Sequence, residues 1–75
     1  VTVWDAYEGQ LISLMQEVTL AFPRATLFSL PTIAAEGQRR SLELGMKGPA
    51  ADVTDAMARI RTSLSERGLE WEDKA

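Results

Sequence analysis

Two stretches in which apolar residues recur at helical spacing are each bracketed by stretches in which they alternate, and this interleaving most narrows the folds open to the chain. Val1-Thr2-Val3-Trp4 is β-branched and aromatic with period two and ends at Asp5, the pattern of a short strand. Over residues 8–22, Leu11, Leu14, Met15, Val18 and Phe22 line one face of a helix, with Ile12, Thr19 and Leu20 widening the stripe. Pro23 ends that helix, because the residue before a proline is driven out of the α region. Residues 25–30 are extended, and Pro31 marks them as an edge strand, since a central strand cannot lose an N–H. Residues 32–38 read as a hairpin loop. In residues 39–47, Leu42, Leu44 and Met46 alternate with Ser41, Glu43 and Gly45, which predicts a half-buried strand with one wet face.

Gly48-Pro49 then opens a second helix, proline being favoured at the first helical position, where its missing N–H has no partner to lose. Val53, Ala56, Met57, Ile60 and Leu64 form its buried stripe, and Asp55 and Arg59 make an i,i+4 pair. Asp52 and Asp55 near its start, and Arg59, Arg61 and Arg67 later, complement the helix dipole. Gly68 stops it, and Leu69-Glu70-Trp71-Glu72 alternates once more as a last short strand. The order β-α-β-β-α-β predicts an α+β, ferredoxin-like two-layer sandwich: an antiparallel sheet with two helices on one face, the first and third strands central. The alternative is a frayed start over residues 1–7 and an α-β-β-α-β remainder. Residues 1–75 are expected to be one such domain, excised from a longer chain.

Composition removes most chemistry. The 75 residues include no His, Cys or Asn, so imidazole and thiolate ligands, and Cys or Ser/His nucleophile pairs, are excluded. A cysteine-free small domain is expected in a reducing, cytoplasmic setting. Eleven acids against eight bases argue against nucleic acid, whose phosphates call for clustered Lys and Arg. No apolar run approaches the roughly 20 residues of a membrane helix, so no membrane partner is expected.

Several residues are candidates for a site. Glu43, Glu70 and Glu72 would share the helix-free sheet face, where carboxylates can hold magnesium or simply face water, and water is the expectation. Trp4, Phe28 and Trp71 could stack on a ligand, although at least two of the three are expected as core anchors. Arg39 and Arg40, with Glu36, flank the hairpin and could grip a phosphate or carboxylate, but adjacent strand residues point to opposite faces, so only one could serve. Small acyl phosphatases of this topology use an Asn, and metal chaperones a Cys pair, both absent here. The loop over residues 5–9 sits where ACT domains close around an effector.

The runs Glu8-Gly9-Gln10-Leu11, Ala21-Phe22-Pro23, Leu27-Phe28-Ser29-Leu30-Pro31 and Ser41-Leu42-Glu43-Leu44-Gly45-Met46-Lys47-Gly48, in that order, resemble the small C-terminal module of CinA-type (competence/damage-inducible, molybdopterin-binding-like) proteins. Ser29 and Pro31 match the family's strand ending, while Phe28 and Leu30 stand where it often has Gly and Tyr. The resemblance implies that molybdopterin or nucleotide chemistry belongs to another domain of the parent protein, with no cofactor in this one. This module would be an accessory unit packing against a neighbouring domain or a second copy of itself. Two other functions compete with it: an ACT-like regulatory domain binding a small molecule, and an enzyme relying on carboxylates alone, such as Glu43 with Glu70.

Overall fold

The structure, a computed structural model, describes residues 1–6, 8–32 and 39–73. In chain order it contains β1 (Thr2–Trp4), a 3-10 turn (Glu8–Leu11), α1 (Ile12–Ala21), β2 (Thr26–Pro31), β3 (Ser41–Lys47), α2 (Ala50–Glu66) and β4 (Trp71–Glu72). The chain is α+β, with four strands in one antiparallel sheet of order β2-β3-β1-β4. Pro31 closes edge strand β2, where its missing N–H costs the ladder nothing. Most of the expected hairpin loop, including Glu36, lies outside the described residues, as does Tyr7.

Alternation sorts the strand residues. Val3, Leu42, Leu44 and Met46 turn to the helices and join Leu11, Leu14, Val18, Ala56, Ile60 and Leu64 in one apolar cluster. Each fully buried aliphatic side chain there stabilises the fold by about 1.5–3 kcal/mol relative to exposure. Val53, Met57, Met15 and Phe22 pack against the cluster's margin, as their helical spacing anticipates. The helices run antiparallel: Arg59 on α2 pairs with Glu17 on α1, and Arg67 Nη2 just past α2 donates to Ser13 Oγ near the start of α1 at 3.0 Å. At the other end of this layer, Arg24 clamps Asp52 through two N···O contacts of 3.0 and 3.1 Å.

Five sequence expectations need correction. Residues 8–11 form a 3-10 turn and the α-helix starts only at Ile12. Ile12 and Leu20 do not widen the buried stripe but are 53% and 82% exposed, and Thr19 is exposed too. At 100° per residue Leu20 lies about 160° from the buried Val18, on the far side of the rod. Pro49 caps α2 from outside rather than occupying its first turn, and the final turn of α2 carries no basic residue. Arg59 turns across to Glu17 instead of along its own helix to Asp55, because the neighbouring helix brings a carboxylate within reach.

The tight joint between β3 and α2 turns on Gly48, whose φ of +148° lies in the region L side chains rarely adopt. A Cβ there would stand 3.0 Å from Ala25 Cα and 3.1 Å from Arg24 O. The chain can therefore pass this close to the α1–β2 turn only with glycine.

Candidate functional site on the open sheet face

Thr2 and Trp4 of β1, Ser41, Glu43, Gly45 and Lys47 of β3, Thr26, Phe28 and Leu30 of β2, and Glu72 of β4 fall on the face opposite the helices, as the register requires. This face is not simply wet. Ser41, across from Trp4, is buried, and Gly45 is roofed by the Phe28 ring of the adjacent strand. A Cβ on Gly45 would fall inside the Phe28 ring's van der Waals envelope, so glycine is what lets the ring lie down on the sheet. This is an aromatic covering a strand glycine that would otherwise pack nothing.

Of the three aromatics, only Trp71 is a core anchor. It packs against the apolar cluster, pairs with Val3, and its indole N–H donates to Ser65 Oγ at 3.0 Å. Trp4 and Phe28 lie half-buried on the other face, contrary to the expectation that at least two would be interior. One residue of shift along a strand reverses the face, and Val3 and Leu27 already claim the inner positions next to them.

Arg39 is the hub of the site. Its guanidinium lies over the Trp4 ring, 5.0 Å from the centroid, pairs with the Asp5 carboxylate, and reaches Glu70 Oε2 at 2.6 Å. Trp4 Nε1 donates to Glu72 Oε1 at 3.2 Å, completing a network from the β1–α1 turn to β4. Asp5 takes φ +57°, a conformation Asp tolerates better than most residues, and its N–H donates to Arg40 O at 2.8 Å. That turn delivers its carboxylate to Arg39. Arg40, with Arg39, precedes β3 and is exposed, and its carbonyl helps to hold the Asp5 turn. Ser29, across from Leu44, sits half-buried on the helix-facing side of β2, away from the others. The candidates thus divide: Trp4 and Arg39 come together, Arg40 joins their turn through its carbonyl, Phe28 lies on the same face two strands away, and Ser29 stands apart.

Asp5 and Glu70 are the partners that sequence reasoning assigned to other roles, in an effector loop and a carboxylate pair. The signal for their meeting was weak, because it depends on strand order. At the far corner Lys47 Nζ lies 5.5 Å from the Phe28 ring centroid, so each outward aromatic carries a cation over it. Among the described residues, no group of three or more His, Cys, Asp or Glu is placed to hold a metal ion, and no helix is long and apolar enough to cross a membrane.

The hydrogen bond from Arg39, aided by its charge and opposed by partial desolvation, holds the Asp5 carboxyl below its ordinary range. The same contacts, first with Asp5 and then with Glu70, raise Arg39. A depressed carboxylate stabilises the fold above its unfolded pKa, and the contribution is lost as pH falls through the folded value. In an NMR pH titration, Asp5 is expected to titrate below the ordinary carboxylate range, and Arg39→Gln to return it there. An unchanged Asp5 midpoint in the variant would separate the pair.

No family model, curated protein or solved structure matches this chain.

Proposed function

We propose that this chain is a ferredoxin-like accessory domain of a CinA-type, molybdopterin-binding-like protein, non-catalytic itself and acting in domain packing or dimerisation. The observation that carries the non-catalytic part is the Asp5–Arg39–Glu70 network. It ties Asp5, Arg39 and Glu70 to one another in exposed ion pairs, whereas acid–base catalysis near neutrality needs a group poised close to the working pH. The missing His and Cys point the same way. The family assignment rests on the ordered sequence runs, and the sheet order with β1 and β3 central agrees with a ferredoxin-like arrangement. Molybdopterin or nucleotide would then bind elsewhere in the parent protein, in a cytoplasmic setting consistent with the lack of cysteine.

A thermal-shift screen of the chain against amino acids and nucleotides tests this. The expected result is no stabilisation by any of them. Specific binding at 100 times Kd stabilises a fold by about 2.7 kcal/mol, a rise in Tm well above scatter. Such a rise with one amino acid would replace this reading with an ACT-like regulator. Turnover that Glu43→Gln abolishes without unfolding would replace it with an enzyme.

A further inference from the structure

The β4 end of the sheet is fastened largely by side chains. β4 is two residues long and pairs only with β1, itself three residues long, so the ladder alone holds it weakly. Glu70 Oε2 meets the Arg39 guanidinium at 2.6 Å, Glu72 Oε1 accepts the Trp4 indole N–H at 3.2 Å, and Asp73 Oδ1 lies 2.8 Å from Arg61 Nε. Trp71 supplies the apolar hold and donates to Ser65 Oγ. Just upstream the chain is pinned to the end of α2, where Gly68 N–H donates to Ser65 O and Leu69 N–H to Leu64 O, both at 3.1 Å. The segment these side chains hold down is therefore residues 70–73.

Arg39 differs from the other fastenings because it grips both sides of the seam. One terminal nitrogen of its guanidinium meets Asp5, in the turn after β1, and the other meets Glu70, ahead of β4. Without that cation, two carboxylates face each other with no charge between them, so repulsion adds to the lost attraction. The Arg39 side chain is 49% exposed and both carboxylates 62%, so dissolved salt reaches this contact while the buried cluster is untouched.

We propose that residues 70–73 are a detachable edge of the sheet and that Arg39 is its latch, releasing them as ionic strength rises while β1, β2, β3 and both helices stay assembled. Lifting them withdraws Trp71 from the margin of the core and strips the outer edge of β1 of its partner. A backbone edge able to accept another strand is then uncovered on demand instead of standing open. The latch is independent of what the domain packs against or binds.

Residue-resolved hydrogen exchange of the whole chain by NMR tests this. Trp4 N–H, which donates to Glu70 O at 2.9 Å, reports lifting of the edge, and Leu44 N–H, which donates to Val1 O at 2.8 Å, reports departure of β1 from β3. The amide of Ile60, in the middle of α2, reports unfolding. In Arg39→Gln, protection of Trp4 N–H is expected to fall about threefold to tenfold, with Leu44 and Ile60 within about twofold of native. Sodium chloride at about 1 M is expected to lower Trp4 protection selectively in the native chain, and less in the variant. Arg24→Gln, which breaks the ion pair with Asp52 at the other end of the helix layer, is expected to leave Trp4 protection unchanged. The proposal is overturned if Arg39→Gln leaves Trp4 protection as it was, if all three amides lose protection alike, if Arg24→Gln matches Arg39→Gln, or if salt leaves the native chain unchanged. The salt arm needs no variant, so it decides the matter even where a substitution unfolds the chain.

Discussion

Ile60→Ala is expected to lower stability by about 2–5 kcal/mol, while Arg61→Ala, one residue on, is expected to cost well under about 1 kcal/mol. Ile60 is completely buried in the cluster between helices and sheet, so truncation removes buried methyl groups and leaves a void that its packed neighbours fill only in part. Arg61 turns outward and holds Asp73 at 2.8 Å in an exposed pair. For a domain of this size each kcal/mol moves Tm by about 4–8 °C, so the two variants should separate clearly in a thermal melt. Equal losses would mean that the face of α2 has been misassigned.

Gly48→Ala is expected to cost about 1–3 kcal/mol although it adds a single methyl group. Two effects add here. The backbone at Gly48 is in a region that penalises any Cβ, and the nearest atoms to the new methyl are the Ala25 Cα and the Arg24 carbonyl, which belong to the main chain and cannot rotate aside. Gly68 makes the control: its φ of +71° is also positive, but nothing lies within 4 Å of its missing Cβ, so Gly68→Ala carries the strain without the collision. Urea unfolding of both variants measures the difference, and a Gly48 variant no worse than the Gly68 variant would remove the steric part of the argument.

Periodicity made most of the framework legible. The alternation of Leu42, Leu44 and Met46, and the stripe through Ala56, Ile60 and Leu64, mark the inner face because burial repeats with the geometry of each element. Leu20 shows where this reasoning stops. An apolar residue beside a stripe looks like part of it until its angular position is worked out, and in the structure it faces away. The site was less legible, for a different reason. That Phe28 would lie on Gly45, or Arg39 on Trp4, depends on which strands are neighbours and in what register, and alternation along one strand carries no information about what covers it from the next. Arg39 and Trp4 could be named as candidates from residue type alone, but not as one unit with Asp5 and Glu70.

The short strand β1 lies between β3 and β4, and a Trp4–Glu72 hydrogen bond spans 68 positions of sequence. Closing so large a loop is entropically costly and slow, and few hydrogen bonds reward it once made. During synthesis, the helices and the β2–β3 ribbon can assemble while the seat beside β1 stays vacant until residue 72 has left the ribosome. A two-residue edge strand held by one neighbour opens at little cost, which makes the β4 margin of the sheet the place to look for the earliest hydrogen exchange.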